Sequence, residues 1–220
     1  MEEINTSIKG EVANISKDFL EFGVDSFLKD GTLKDLPLIG PLFGLTQIGL
    51  NIHDKLFIKK IHHFLFELRD ISIDERKKFT EKIETDKSFK TKVNENLLLI
   101  IDRFNDYTKA EYIGKLFAAT INGNIDYRTF LKLSNIIDKS VCSDLENLTV
   151  IHDHGINRLD DYQKDELYIL GLLYNEGISG DTFLHDQDDK IPNTKNEYVI
   201  NKYGKIIIEH IFKATSANRR

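Results

Sequence analysis

A chain of 220 residues that is 40% hydrophobic and 30% charged can bury a sizeable core and is too apolar to belong with disordered chains. Its net charge of −6 and pI near 5.7 argue against general nucleic-acid binding, which needs clustered Lys and Arg to displace counterions from phosphates. The single cysteine, Cys142, has no partner for an intramolecular disulfide, which predicts a reducing, cytoplasmic setting.

The opening MEEINTSIKGEVANISKDF is acidic and polar, with no cationic lead before an apolar run, so no secretory signal is expected. Ile8, Val12, Ile15, Phe19 and Phe22 recur at helical spacing and predict an amphipathic helix, with Gly23 or Gly31 able to end it or the next element. Next comes LPLIGPLFGLTQIGLNI, Leu36–Ile52, a run of 17 residues without a charge. Such a run is at the lower edge of a membrane span, and Pro37, Pro41 and three glycines weaken a straight one. Gly40 and Gly44 have the small-xxx-small spacing that lets helices approach closely in lipid. Lys55, Lys59 and Lys60 follow at once, well placed for anionic headgroups. The same run also reads as a buried central helix, apolar all round. Both readings stand.

From Asp54 the pattern becomes regular. Phe57, Ile61, Phe64, Leu65 and Leu68 form one apolar stripe, with His62 and His63 on its wet flank. Ser72 with Glu75 forms a capping box that opens a short helix carrying Phe79 and Ile83. Phe89, Val93, Leu97, Ile100, Ile101 and Phe104 mark a longer helix. Thr108 with Glu111 makes a second box, for a helix with Ile113, Leu116, Phe117 and Ile121 inward and Gly123 at its end. Asp126 is placed to cap a helix bearing Phe130, Leu133 and Ile137, and Ser143 with Glu146 offers a third box. Further on, a helix is predicted from Asp161 to Tyr174, ending at Gly177. Two strand-like runs come after it, Thr182–His185 and Tyr198–Ile200, around the polar turn DQDDKIPNTKN. A last helix, Lys205–Phe212, takes its cap at Asn201 or near Gly204.

Motifs that could carry chemistry fail on inspection. Gly123 and Ile125 sit as in the second half of an EF-hand loop, but the first, third and twelfth loop positions would be Ala118, Thr120 and Thr129. A hard cation needs carboxylates there. His152-Asp153-His154 could begin a metal site, yet His185 and His210 downstream have no recognisable ligand spacing. No nucleophile elbow, P-loop or dinucleotide fingerprint is present, and no histidine partner can be assigned to Cys142. No catalytic residue, cofactor or metal is therefore expected.

The tail ELYILGLLYNEGI, the strand pair and EYVINKYGKIIIEHI resemble the last helix, wing and closing helix of a winged-helix module. Asn201 stands where threonine is usual in that ending, three residues before Gly204. The helix that would enter a DNA groove begins with Asp160, Asp161 and Tyr162, and acid there repels phosphate. The module is thus expected to serve packing or partner contact. The layout as a whole resembles a loose group of bacterial proteins linked to abortive-infection phage defence. The apolar LKDLPLIGPLFGLTQIG, the DKLFIKKIHHFL helix and AEYIGKLFAATINGNIDYRTFLKLS carry that likeness. The middle is also faintly similar to tellurite-resistance domains, without acidic residues that would mark their metal site.

The expected fold is mainly α: a multi-helix bundle with a small α+β winged-helix-like C-terminal module. Its regions are 1–53, the amphipathic helix and apolar segment; 54–140, the helical bundle; and 141–220, the winged-helix-like module. The leading functional expectation is a non-enzymatic phage-defence or stress protein. It would act through Leu38, Ile39, Leu42, Phe43, Leu45, Ile48, Lys55, Lys59 and Lys60 on a membrane or a partner helix, at the inner face of the membrane if peripheral. The alternative is a regulator or adaptor that uses the C-terminal module for protein or DNA contact. Homo-oligomers are compatible with either.

Overall fold

The computed structural model describes residues 52–85, 87–178 and 196–213. Among them are eight α-helices and a two-stranded antiparallel sheet, so the architecture is mainly α. Two compact units divide between Ser134 and Asn135.

The first unit is built from α1 (Ile52–Phe66), α2 (Ile73–Glu84), α3 (Lys87–Arg103), α4 (Tyr107–Ile121) and the start of α5 (Tyr127–Lys139). Helix α1 lies along α4, and α2 packs on α3 and α4. The apolar stripes read from the sequence point inward: Phe64, Leu68, Ile83, Val93, Ile113, Phe117 and Phe130 are all fully buried. Phe117 is the hub. The rings of Phe64, Phe79 and Phe130 lie 5.8, 5.6 and 5.3 Å from its own, the last two edge-on as the aromatic quadrupole favours. Helices α1 and α4 approach so closely that a Cβ on Gly114 would stand 2.6 Å from the Phe64 carbonyl oxygen. Charged side chains break the apolar pattern at Lys60, Arg76 and Lys109, all of them buried. Arg76 shares the inner stripe of α2 with Phe79 and Ile83, is only 2% exposed, and its Nε and Nη1 have no partner among the described residues.

Local signals explain most helix ends. Ser72 and Glu75 form the expected box, the Glu75 amide donating to Ser72 Oγ at 3.2 Å and the Ser72 amide to Glu75 at 3.3 Å. Gly123, at φ +77°, closes α4 with the Gly123 amide on Thr120 O and the Asn124 amide on Ala119 O. Asp126 caps α5 by accepting from the Thr129 amide at 2.7 Å. The Thr108–Glu111 box does not form. Asp106 is the cap of α4, taking the Thr108 amide at 2.8 Å, and Glu111 binds Lys115 one turn on at 2.6 Å.

The second unit holds the end of α5, then α6 (Cys142–His154), a 3-10 turn (Ile156–Arg158) and α7 (Asp161–Ile169). Strands β1 (Leu173–Ile178) and β2 (Asn196–Ile200) come next, and α8 (Lys202–Ile207) runs on into a π-helical turn (Ile208–Lys213). Helix α6 starts behind Val141 with no side-chain cap, so the Ser143–Glu146 box is absent too. Asp160 and Gln163 make a box not expected from the sequence, because aspartate stands in the serine position.

The largest departure lies after α7. The helix stops at Ile169 instead of Tyr174, because Gly171 takes φ +74° and closes it: its amide donates to Tyr168 O, and the Leu172 amide to Leu167 O. The residues expected to finish that helix form β1 instead. It pairs antiparallel with β2, Leu173 opposite Ile200, and Gly177 (φ +124°) marks a bulge after Asn175 and not a helix end. The predicted Tyr198–Ile200 run lies in β2, whereas Thr182–His185 and most of the polar turn lie outside the described residues. Asn201 makes the joint to α8. Its side-chain oxygen accepts from the Tyr203 and Gly204 amides, and its Nδ2 donates to Gly171 O at 2.7 Å and Leu173 O at 3.3 Å. Gly204 fits only without a Cβ, which would lie 2.7 Å from both Leu172 O and Ile200 Cγ2.

Candidate interaction surfaces

The residues expected to touch a membrane or partner helix divide into two sets. Leu38, Ile39, Leu42, Phe43, Leu45 and Ile48 lie outside the described residues. Lys55, Lys59 and Lys60 are carried by α1. The described lysines differ sharply from each other. Lys60 is only 7% exposed, and its ammonium donates to the carbonyl oxygens of Asp102 and, at 3.0 Å, Phe104, where α3 ends. Burial pulls its pKa below the usual lysine value, with Asp102 opposing. Its charge is thus committed to the end of a helix, where a cation meets the negative pole of the dipole.

Lys59 sits on the half-open side of α1, its ammonium 4.0 Å from the Tyr107 ring centroid. His63 stacks on that same ring at 5.4 Å. His62 stacks on Phe66 at 6.4 Å, and Arg69 covers Phe66 at 3.6 Å. Cations and aromatics therefore alternate along this face, and the apolar rings partly cover each basic group. Burial lowers the pKa of both histidines; His63 lowers that of His62 further, and Lys59 that of His63. Burial raises the Glu67 carboxyl, Lys115 opposing it.

His152, Asp153 and His154 occupy the exposed last turn of α6, with His152 Nδ1 2.7 Å from Asp153 Oδ1. Among the described residues no three His, Cys, Asp or Glu side chains are grouped to hold a metal ion. None of the described helices is long and apolar enough to cross a membrane.

The surface that the sequence described only by its charge belongs to α7. Leu167 is the buried residue of this helix. On the side away from it, at helical spacing, stand Tyr162, Asp165, Glu166 and Ile169. Tyr162 is 72% exposed and Ile169 75%. Glu166 first, then Asp144 and Asp160, raise the Tyr162 pKa by disfavouring a further negative charge beside them. Asp165 accepts from the Tyr198 hydroxyl at 2.7 Å, which ties the helix to the hairpin, and the Tyr198 ring lies 5.3 Å from that of Tyr168. The one cation of the helix, Lys164, is bound to Asp161 at 3.1 Å. The chain matches no family model, no curated protein and no solved structure. The charge pattern of α7 is legible in the sequence. The exposure of Tyr162, Tyr168 and Ile169 is not, because it depends on what the rest of the unit covers.

Proposed function

We propose that this protein is a non-enzymatic adaptor of a bacterial phage-defence or stress response, and that its C-terminal unit is a winged-helix-like module used for protein contact. The order α6, α7, hairpin, α8 supports the winged-helix reading, with β1 and β2 as the wing and Asn201 opening the closing helix. The phage-defence setting rests on the sequence resemblance. One observation carries the choice of partner class. The helix in the groove-reading position pairs two exposed apolar side chains with acid, a combination that repels phosphate and suits protein. The test combines anisotropy of a labelled DNA duplex at low salt with plaquing of phage on cells carrying Tyr162→Ala plus Ile169→Ser. No duplex binding, and protection lost by a variant with unchanged circular dichroism, are expected. Duplex binding by wild type, or full protection by the variant, overturns the reading.

A second reading rests on the uncharged run Leu36–Ile52, which suits contact with a lipid surface at the inner face of a membrane. It draws on Lys55 and Lys59 for headgroup attraction and leaves Lys60 to its carbonyls. Flotation of the full chain with anionic liposomes tests it. Wild type should float, and Leu45→Asp should stay folded and sediment; wild type that never floats removes the idea.

A further inference from the structure

We propose that the outward face of α7 binds a basic, amphipathic segment of another protein, its apolar side chains meeting Tyr162 and Ile169 and its cations meeting Glu166 and the flanking carboxylates. This deepens the protein-contact reading above and rests on it. Two large side chains exposed to this degree stand one helical heptad apart, near the two ends of a short helix, with the carboxylates of Asp165 and Glu166 between them on the same face. Singly exposed apolar residues need no explanation, but two aligned on one face and rimmed by charge have the layout of a contact surface.

The rim decides the occupant. Between Asp160 and Ile169 there are four carboxylates, those of Asp160, Asp161, Asp165 and Glu166, against one ammonium, Lys164, which Asp161 already engages. A second copy of the same face would set acid against acid, and an anionic lipid or nucleic acid would meet the same repulsion. A Lys or Arg side chain meets none of these penalties. Laid across Tyr162, it reaches the ring face while its charge meets Glu166, one helical turn on. Ile169, one heptad on, supplies the anchor for an apolar residue of the same segment, so specificity requires both features together.

The experiment measures binding of three labelled synthetic helical peptides to the full chain by anisotropy. Two share their apolar positions and carry either Lys/Arg or Glu on the polar face; the third keeps the cations and has Ala at every apolar position. The cationic amphipathic peptide alone should bind, more weakly as salt rises. Tyr162→Ala and Ile169→Ser should each weaken it about tenfold, in variants whose circular dichroism is unchanged. Equal binding of the glutamate peptide, equal binding of the alanine peptide, or indifference to both substitutions overturns the proposal. Those failures are separable from failure of the adaptor reading, which is judged by phage protection. Protection lost while the peptides fail would leave a protein-contact face whose partner is not basic.

Discussion

The two units are held together in different ways. In the first, one aromatic ring gathers four helices: Phe117 on α4 meets Phe64 of α1, Phe79 of α2 and Phe130 of α5, and apolar burial carries the structure. The second unit also buries an apolar core of Leu145, Leu148, Leu167, Leu172, Ile207 and Ile211, but its hairpin and closing helix meet at Asn201 and Gly204, where backbone groups, one amide side chain and one missing Cβ fix the geometry. A core of the first kind tolerates an irregular member as long as the hub is intact. A joint of the second kind depends on single atoms. Substitutions at the hub should therefore have large, global effects, and those at the joint smaller, local ones.

The hub gives the largest expected effect. Phe117→Ala removes the ring that three others contact and should cost about 3–5 kcal/mol in urea denaturation. Phe64→Ala should fall in the same range. A loss under about 1 kcal/mol for both would contradict the burial of these rings. Arg76 sharpens the comparison in the opposite direction. Its Nε and Nη1 are buried without a hydrogen-bond partner among the described residues. Arg76→Met keeps the aliphatic stem and removes the unpaired charge, so it should raise stability, by about 1–4 kcal/mol. A destabilised Arg76→Met would mean that the guanidinium has a partner in solution.

At the joint, Asn201→Ala should cost about 1–2 kcal/mol, since it loses the cap of α8 and leaves Gly171 O and Leu173 O without the side-chain amide. Asn201→Thr separates the two jobs. A hydroxyl can accept from the Tyr203 and Gly204 amides, but cannot also span both carbonyls as the amide does. Hydrogen exchange should therefore show α8 protected and β1 loosened in Asn201→Thr. Equal exchange in the two elements would mean that the bonds to Gly171 and Leu173 contribute nothing.

Legibility in the sequence divides along the same line. The inward stripes of the first unit, the Ser72 box, the Gly123 terminus and the Asp126 and Asn201 caps are readable because each is set by residues within one or two helical turns. The end of α7 is not. ILGLLYNEGI contains two glycines able to stop a helix, and only the pairing of Leu173 with Ile200, far along the chain, decides that Gly171 closes it and Gly177 forms a bulge. Lys60 misleads for a related reason. Its neighbours Lys59 and His62 make it look like part of a basic surface, while its actual partners lie at the far end of α3. The outward face of α7 falls between these cases, its charges readable and the exposure of its apolar residues dependent on what the rest of the unit covers.

The smallest effect expected is a pH dependence from two histidines of the first unit. His62 and His63 both have pKa values below the ordinary 6.5, chiefly through burial. The unfolded chain then takes up a proton at a pH where the folded chain still refuses it, so protonation favours unfolding. Stability from these two groups is complete above pH 6.5 and declines as pH falls below it, until the lowered folded values are passed. Glu67 works in the opposite sense: its raised pKa means that the folded state binds the proton more tightly than the unfolded chain, so acidification toward 4.5 restores part of the loss. Urea midpoints measured downward from neutral pH should therefore fall first below 6.5 and then flatten. His62→Gln combined with His63→Gln should remove the first decline, since glutamine does not titrate. A decline of unchanged size in that double variant would assign the acid sensitivity to carboxylates and not to the imidazoles beside Tyr107 and Phe66.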